Sequence, residues 1–368
     1  MITEVDILGF KRFHKQNFAF SPLTILAGMN GSGKTSLIHA FLLMSEAAVG
    51  RSGGTVRLNG PFGMELGTAE DVRNWKSDDL IEFRLKISTG NVSTWRFGLS
   101  SEEALYLTLE EQPTVLPAVF SGTPRAFSYL CAERLGPRSA FSASPLPADA
   151  LEVGVRGEHC AQILVALGDK PLADLSRIHP TEVSGTPAFL KYEVEWWLGQ
   201  LCRPIEIDAV QYPGSAIFAL RFRTPGGDWA RAPNMGFGVS YALPIVLAGL
   251  TALPGGLLIV ENPEAHLHPA GQSRMGSFLG WLAGKGVQVL VETHSDHVLN
   301  GIRRAIAEHK YLPHQDAIVH FFEASNDDEP VVHSLEFSAV GSVSHWPRGF
   351  FDQYQVDIGL LGRIRRGA

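Results

Sequence analysis

A glycine-rich segment near the start of the chain combines the residue types that bind a phosphate chain. It reads GMNGSGKT over residues 28–35 and fits the pattern GxxxxGK[ST] in full. Glycines let backbone N–H groups curve around a phosphate, and the N-terminus of a following helix adds its dipole. A lysine at this spacing reaches the β- and γ-phosphates of a nucleotide, and the next hydroxyl can ligate Mg²⁺. The segment therefore predicts a site for ATP and Mg²⁺, with the ligands Gly28, Asn30, Gly31, Ser32, Gly33, Lys34, Thr35 and Ser36.

A second segment places a carboxylate directly after an apolar run. Residues 257–260 read LLIV and are followed by ENPEAHLHP, which begins at Glu261. A buried strand that ends in a carboxylate presents it at the edge of a parallel sheet, where the phosphate-binding loop also opens. This is the Walker B pattern. Glu261 is therefore predicted to hold the Mg²⁺ together with Thr35.

Two further polar segments carry candidate groups. Residues 234–244 read NMGFGVSYALP and bring Gly238 and Ser240 just before an apolar helix, although composition alone favours an ordinary helix N-cap serine here. Residues 293–295 read THS and follow another apolar run. His294 is well positioned there to sense a γ-phosphate, whereas a lone histidine at a strand end is usually structural.

The first third of the chain predicts the elements that must position the glycine-rich loop. Apolar runs at residues 2–10 and 18–27, around a polar turn at 11–16, predict two strands that lead into the loop. Good helix formers over residues 35–48 predict a helix directly after it. Short alternating runs from 50 to 130 predict an inserted antiparallel sheet.

The rest of the chain alternates between strand and helix patterns. Residues 188–201 predict a helix in which Trp196 and Trp197 are partly buried, and strands are predicted at 205–210 and 216–223. Further strands are predicted at 257–260, 287–291 and 317–322, with helices at 269–284 and 296–309. Apolar strands separated by helices indicate a parallel sheet covered on both faces.

Taken in chain order, these motifs resemble the ABC ATPase superfamily. More narrowly, the chain resembles the SMC-, RecF- and OLD-related AAA-type ATPases found in bacterial defence and repair systems. The phrase ENPEAHLHP is similar to their extended Walker B, and GFGVS at residues 236–240 to their variant signature. ERLGPR at 133–138 and GFFDQY at 349–354 resemble a subgroup with a DUF3696-type C-terminal region.

The resemblance implies the fold class and its division. We expect an α/β P-loop ABC ATPase head with a mainly parallel sheet, an inserted antiparallel β subdomain and a helical subdomain. One domain would span residues 1–368. Its parts would be the P-loop part (1–50), the inserted antiparallel region (51–130), a helical/β subdomain (131–235), the signature, Walker B and histidine lobe (236–325) and a small C-terminal region (326–368).

The resemblance also implies an ATPase that works as a dimer. Two chains would sandwich two ATP molecules, with Ser240 of one chain facing Lys34 of the other. ATP binding would close the dimer and hydrolysis would open it. Besides the carboxylate that holds Mg²⁺, the catalytic group would comprise Asn262, Glu264 and His294 around the attacking water.

Several positions depart from the family pattern. Tyr241 stands where the subgroup has glutamine, and Asn262 stands where most ABC ATPases have the glutamate that polarises water. An amide can orient a water but cannot accept its proton. Either Glu264 serves as the base, or hydrolysis is slow and the protein acts mainly as an ATP-gated switch. No Q-loop glutamine is recognisable, and residues 133–138 are the candidate replacement.

Two other function classes stay open. Asn262 supports a non-catalytic, nucleotide-dependent scaffold. The chain could also be the ATP-binding subunit of a transporter, but the long separation between Lys34 and Glu261 is unlike a compact transporter cassette. A zinc site is disfavoured because the sequence has no HExxH helix and no cysteine partner for the histidine-rich stretch. The candidate zinc ligands would have been Glu264, His266 and His268 in one segment and His294 and His297 in another.

Composition restricts partners and location. The net charge of −7 argues against a uniformly basic nucleic-acid binder, although a local DNA contact stays possible. The arginines at 363, 365 and 366 are more typical of a solvated tail.

The three widely spaced cysteines predict free thiols in a reducing cytoplasm. No signal peptide is recognisable, and the apolar stretch at 239–250, which Pro244 interrupts, is too short for a bilayer. We find no nuclease site, so any action on nucleic acid would need a separate effector protein such as a nuclease.

Overall fold

The computed structural model describes residues 1–50, 54–77, 80–181, 188–323 and 329–365. Its strands are β1 (Ile2–Phe10), β2 (Phe13–Ala19), β3 (Leu23–Gly28), β4 (Thr55–Arg57), β5 (Leu80–Ile87), β6 (Val92–Gly98), β7 (Tyr106–Glu111), β8 (Phe127–Leu130), β9 (Phe141–Ser142), β10 (Glu206–Gln211), β11 (Ile217–Arg223), β12 (Ala230–Arg231), β13 (Leu257–Glu261), β14 (Gln288–Glu292), β15 (Ala317–Phe322) and β16 (Val332–Glu336). Its α-helices are α1 (Lys34–Val49), α2 (Ala69–Val72), α3 (Cys160–Leu167), α4 (Leu190–Leu201), α5 (Phe237–Thr251), α6 (Pro269–Gly284), α7 (Asp296–Ala307) and α8 (Gln353–Arg365).

The central sheet has the order β16-β15-β3-β14-β13-β8. All neighbours except the edge pair β15 and β16 run parallel. Its strands are short apolar runs, and all five residues of both β13 and β14 are buried because elements cover both faces. The parallel arrangement confirms the α/β head expected from the sequence. It also brings the C-terminal ends of β3, β14 and β13 to one edge.

The second large sheet is antiparallel, with the order β2-β1-β5-β6-β7-β4. It includes the first two strands of the chain, β1 and β2, together with four strands from the segment after α1. The prediction of a polar turn at residues 11–16 and one strand at 18–27 was wrong. β2 already begins at Phe13, and between the buried Phe13 and Phe18 four polar residues alternate between half-buried and exposed, as they do on an edge strand.

β8 falls inside the segment expected to form the antiparallel insertion, yet it pairs in parallel with β13. Its last residue, Leu130, is fully buried in the core shared by the helices α3 to α7. Tyr129 points into the other core, formed by α1 and the antiparallel sheet. A four-residue run of this kind gains more burial between two cores than at the edge of the insertion.

The helices α4 to α7 pack on the face of the central sheet opposite α1 and the antiparallel sheet. Trp197 of α4, expected to be partly buried, is buried against Phe278 and Trp281 of α6, with ring centroids 4.7 Å away from each. A small sheet of β9 to β12 contacts α3 and α4. In the residues that the structure describes, no helix combines the length and hydropathy needed to cross a bilayer.

The C-terminal region adds β16 to the edge of the central sheet and ends in α8. Phe350 is fully buried, with its ring 5.2 Å from that of Phe321 in β15 and 4.8 Å from that of Trp346. These contacts attach the segment before α8 to the sheet. α8 itself is exposed along its described residues.

Candidate functional site

The glycine-rich loop leaves the end of β3 and enters α1, as its motif requires. Gly28 has φ 138°, and a Cβ there would lie 2.3 Å from the carbonyl oxygen of Phe322. Only glycine fits this position. Gly33, also at positive φ, is the N-cap of α1 and offers no side-chain cap, so the first N–H groups of the helix have no side-chain acceptor at the cap.

Lys34 is buried beneath this loop. Its ammonium donates to the carbonyl oxygens of Gly28 at 3.0 Å and Met29 at 2.7 Å. It also lies 3.7 Å from Oε1 of Glu292. Burial lowers the pKa of Lys34, while the charge of Glu292 acts in the opposite direction. The loop thus holds a cation at the point where the motif places the β- and γ-phosphates.

Glu292 is a candidate site residue that sequence reasoning missed. It ends β14, and its carboxylate accepts from the Thr35 hydroxyl at 3.2 Å to Oε2 and 3.4 Å to Oε1. Burial raises the pKa of Glu292 to about 7, with Lys34 opposing and Glu261 adding to the increase. The signal was present in the sequence, since a carboxylate ends the apolar run just before His294.

Glu261, the predicted magnesium ligand, ends the neighbouring strand β13 in direct register with Glu292. Its carboxylate accepts from the Tyr129 hydroxyl at 3.0 Å and from the N–H of Ala132 at 3.1 Å. Burial raises its pKa, and these two hydrogen bonds and Arg134 oppose the increase. Among the described residues, the carboxylate of Glu261 therefore accepts from β8 and the residue two positions after it, whereas the carboxylate of Glu292 accepts from the P-loop.

The two carboxylates line different cavities. A cavity of about 140 Å³ is lined by Glu292 together with Arg12, Asn30, Gly31, Gly33, Lys34, Thr35 and Ser36. A larger cavity of about 740 Å³ is lined by Glu261 together with Lys11, His39 and Tyr129. The smaller cavity is the one with phosphate chemistry, because a cation, a hydroxyl and backbone N–H groups meet there. These groups fit both ATP and Mg²⁺.

Asn262 has a left-handed backbone, with φ 43°. Asparagine adopts this conformation more readily than most residues. Its N–H donates to the carbonyl of Glu292 at 2.8 Å, and its carbonyl accepts from Arg134 at 2.7 Å. The buried Oδ1 of Asn262 has no hydrogen-bond partner in the part of the chain that the structure describes. This amide oxygen is thus an unused acceptor at the strand edge.

Glu264 lies against the histidine segment. Its Oε2 accepts from the Thr293 hydroxyl, and its Oε1 accepts from the N–H of His294, both at 2.8 Å. His294 itself is exposed. Desolvation and the charge of Lys34 lower the pKa of His294, and Glu264 opposes this decrease. Glu264 therefore ties the segment after β14 to the segment after β13.

Arg134, within the segment 133–138, links the Walker B strand to the serine segment. Its guanidinium donates to the carbonyls of Cys131, Glu261 and Asn262 at 2.9, 2.6 and 2.7 Å. It also lies 5.4 Å from the centroid of the Tyr241 ring. The side chain is 2% exposed. A buried arginine of this kind fixes the geometry of the loop that carries Asn262.

Ser240 lies in the first turn of α5 and does not cap it. The N-cap is Gly236, so the explanation of Ser240 as an N-cap serine was wrong. Gly238 packs so closely on the next segment that a Cβ would lie 3.0 Å from the carbonyl oxygen of His266. Pro244 lies inside the helix and has no N–H, which leaves the carbonyl of Ser240 without its usual helical donor.

The remaining sequence candidates are placed as follows. Within the described ranges, no group of three or more His, Cys, Asp or Glu side chains is arranged to hold a metal ion by itself. The thiols of Cys131, Cys160 and Cys202 are free. Arg366 of the basic tail lies outside the described residues.

The fold and the site together define a P-loop ATPase head. Three family models match the chain: an AAA domain over residues 4–102, an "AAA domain, putative AbiEii toxin, Type IV TA system" over 189–300, and a protein of unknown function, DUF3696, over 312–361. The chain thus matches two AAA-domain models and, after them, the DUF3696 model, in the order that the sequence resemblance predicts. The match over residues 4–102 contains the P-loop, and the match over 189–300 contains the Walker B and histidine segments.

Solved SMC heads share the fold. An SMC head bound to the C-terminal winged-helix domain of ScpA is 14% identical, covers 91% of this chain and 97% of its own, and has a TM-score of 0.60. An SMC head with an extended coiled coil, bound to the C-terminal domain of ScpA from Pyrococcus furiosus, is 13% identical, covers 99% of both chains and has a TM-score of 0.55. No curated protein matches the sequence.

Proposed function

We propose that this chain binds ATP with Mg²⁺ and hydrolyses it, working as a nucleotide-driven dimeric switch of the ABC type. The observation that carries the proposal is the convergence of Lys34, Thr35 and a buried carboxylate at the end of a P-loop. A strand, a turn and a helix would not need a buried lysine at this point. The matches to two AAA-domain models support the same activity.

The chain's own residues would act mainly by positioning. Lys34 would exchange its loop carbonyls for the β- and γ-phosphate oxygens, since an ammonium has three donors to satisfy. When bound, Mg²⁺ neutralises charge that develops on the phosphate oxygens. Thr35 would hold it together with a carboxylate from the strand edge, where Glu261 and Glu292 lie side by side.

The attacking water would lie near Asn262, Glu264 and His294. Asn262 can orient the water through its unpartnered Oδ1, and His294 can donate to a γ-phosphate oxygen. The carboxylate of Glu264 is held against Thr293 and His294 by a hydrogen bond to each of its oxygens, which restrains it from turning toward a water at Asn262. We therefore propose slow turnover.

The dimer would place Ser240 of one chain opposite Lys34 of another. Ser240 lies near the start of α5, and the exposed Phe237 lies beside it on the first turn. We propose that a separate effector protein, such as a nuclease, reads the closed state in antiviral defence or DNA repair, with a possible DNA contact, in the cytoplasm. The SMC heads that share this fold are bound to ScpA domains, which supports a partner for this head as well.

Two alternatives have support of their own. A non-catalytic scaffold gated by ATP is favoured by the amide at position 262. The reading as a transporter's ATP-binding subunit is weakened by the large inserted sheet between the P-loop and β13. Phosphate release by the purified protein separates the first alternative from the proposal.

The test of the proposed function is Lys34→Ala. The change removes the charge that meets the phosphates and should lower the affinity for a fluorescent ATP analogue by at least ~100-fold, since one buried charge-assisted contact is worth about 1.5–3 kcal/mol and Lys34 makes several. Lys170→Ala, an exposed lysine in the helical part, is the matched control. Undiminished binding by Lys34→Ala would overturn the assignment of the P-loop.

A further inference from the structure

We infer that the cavity between the starts of α5 and α6 is a second anion site, which binds a phosphate group other than those at the P-loop. Its volume is about 420 Å³, within the range of pockets that hold small ligands. We call it the α5–α6 cavity, and its walls also include residues that end α4 and residues that follow β13. The described residues that line it do not include Ser240, which is proposed to face the nucleotide of a second chain. The cavity is therefore separate from both nucleotide contacts of the proposed function.

The charged side chains of the α5–α6 cavity are all cationic. They are the two arginines Arg203 and Arg274, and the histidines His266 and His268 lie in the same lining. No aspartate or glutamate is among the described residues that line the cavity. The chain as a whole is acidic, with a net charge of −7, so a lining without carboxylates does not follow from its composition. Such a lining attracts an anion and repels a cation.

The two arginines have donors to spare for a ligand. Arg274 donates to a backbone carbonyl at the end of α4 at 2.5 Å, and Arg203 has only a long contact of 3.7 Å to the sulfur of Met235. In the part of the chain that the structure describes, neither guanidinium forms an ion pair with a carboxylate. On the small sheet nearby, by contrast, Arg221 pairs with Asp208. A guanidinium has five N–H donors, so most of those in the cavity are not used by the described residues.

Backbone N–H groups add to the same cavity. The N-cap of α5 is Gly236, which lines the cavity and offers no side-chain acceptor to the first turn. Gly236 has φ −63°, and a Cβ there would meet nothing within 4 Å, so neither its backbone conformation nor its packing requires glycine. Aspartate or serine would be the stronger N-cap, whereas glycine leaves the start of the helix open to a ligand. α6 also begins at the cavity, where the positive end of its dipole adds to the attraction for an anion.

A phosphate group matches this combination of donors. The planar fork of an arginine donates to two phosphate oxygens at once, and an uncapped helix start offers N–H groups to the same kind of oxygen. A ligand held by both arginines would connect the end of α4 to α6 and to the start of α5. The phosphate can belong to a free nucleotide or to a nucleic-acid strand, because both present the same oxyanion.

The experiment measures phosphate binding in Lys34→Ala protein, in which the P-loop lacks its cation. Isothermal titration calorimetry at low salt follows the binding of pyrophosphate, which should occupy one site in each chain. Adding Arg203→Gln or Arg274→Gln should lower the affinity by at least ~5-fold, since each change removes charge-assisted hydrogen bonds from a partly solvated site. Arg231→Gln is the matched control, because it removes the same charge from an exposed position that does not line the cavity. It should change the affinity by less than ~2-fold.

Gly236→Asp separates anion binding from stability. An aspartate at the N-cap should leave the fold at least as stable in urea denaturation, while its negative charge should lower the affinity for pyrophosphate by at least ~10-fold. The source of the phosphate is then identified with ADP and with a short single-stranded oligonucleotide in place of pyrophosphate. The natural source is the one that binds more tightly and loses affinity in Arg203→Gln.

Three results would overturn the second anion site. The first is that Lys34→Ala protein binds none of the three ligands at low salt. The second is binding that Arg203→Gln and Arg274→Gln leave unchanged. The third is that both arginines matter only for the association of wild-type chains in ATP, which would assign them to the contact between two chains. Failure of the proposed function is distinct from these, because it would appear as undiminished binding of the ATP analogue by Lys34→Ala.

Discussion

The guanidinium of Arg134 lies 5.4 Å from the ring of Tyr241 while it donates to the backbone carbonyl of Glu261 at 2.6 Å. One buried side chain thus touches both the start of α5, next to Ser240, and the end of β13. Tyr241 continues the contact, since its ring centroid is 4.4 Å from that of His266 in the segment after β13. The face proposed to meet a second chain is therefore fixed to the strand edge that carries the carboxylates.

Arg134→Ala should destabilise the fold strongly. The change removes one hydrogen-bond donor from each of three backbone carbonyls, of which that of Asn262 keeps the N–H of Ala265, and it empties a buried site, so a loss of about 2–4 kcal/mol in the free energy of unfolding is expected. Urea denaturation measures it. Arg138→Ala, an exposed arginine four residues later, should change stability by less than about 0.5 kcal/mol. Equal effects of the two substitutions would contradict the role assigned to Arg134.

Ser240→Arg should block association in ATP while nucleotide binding is retained. A long, charged side chain on the first turn of α5 would meet the phosphates of the opposite chain's nucleotide and the surface around them. Light scattering with and without ATP measures the mass, and Ser101→Arg, at an exposed turn of the antiparallel sheet, is the control. If Ser240→Arg associates as wild type does, the proposed signature contact is wrong.

His39 should make the protein sensitive to mild acid. Its Nδ1 lies 2.9 Å from the Lys11 ammonium, which can only donate, so the ring is held neutral. Burial first and Lys11 second lower the pKa of His39 to about 3. A folded-state pKa below the unfolded value means that stability is complete at neutral pH and is lost as pH falls below about 6.5.

The expected loss attributable to His39 is about 2 kcal/mol between pH 7 and pH 5. His39→Gln keeps an acceptor for Lys11 and should show a shallower dependence of unfolding free energy on pH over this range. His345→Gln, at an exposed position, should keep the slope of wild type. Identical slopes in all three proteins would show that His39 is not held neutral.

Much of the fold could be predicted from local patterns. The helix at 269–284 has its predicted bounds, since Pro269 starts it and Gly284 ends it, and β15 also has its predicted bounds. Local patterns failed where pairing decides the structure. The polar side chains of β2 resembled a turn because an edge strand exposes alternate residues, and the partner of β8 depends on two cores that distant segments build.

The site was predictable in its location but less so in its contacts. The pattern that ends at Thr35 is sufficient to locate the candidate phosphate site, since loop, lysine and helix are contiguous in sequence. The distinction between Glu261 and Glu292 depends on which strand lies next to β3 and on where Tyr129 directs its hydroxyl. Both are properties of the assembled sheet. No spacing within a single motif contains them.

Glu264 is expected to act as an anchor for His294. Glu264→Gln removes the negative charge, and its amide can meet the His294 N–H only with its oxygen while its NH₂ donates to the Thr293 hydroxyl, so both 2.8 Å contacts lose their charge-assisted character. Turnover should fall by ~10-fold with ATP binding intact, and Thr293→Val, which removes one donor, should have a similar effect. Steady-state phosphate release measures both. Loss of all turnover in Glu264→Gln, with normal turnover in Thr293→Val, would identify Glu264 as the general base instead.

Asn262→Glu should increase turnover at a cost in stability. A carboxylate at the strand edge can accept the proton of the attacking water, and a general base typically contributes ~10²–10⁴-fold, so an increase of at least ~10-fold is expected. The backbone at 262 has φ 43°, which disfavours glutamate by about 1 kcal/mol relative to asparagine.

Asn262→Gly is the matched control for position 262. Glycine accepts the same φ without strain but offers neither an amide nor a carboxylate, so turnover should fall below that of wild type while the fold is retained. Phosphate release in Mg²⁺ and urea denaturation of the three proteins separate the two effects. If Asn262→Glu is no faster than wild type although it is folded and binds ATP, the amide at 262 does not limit the rate. No turnover in wild type and both variants, with ATP binding intact, would favour the ATP-gated scaffold.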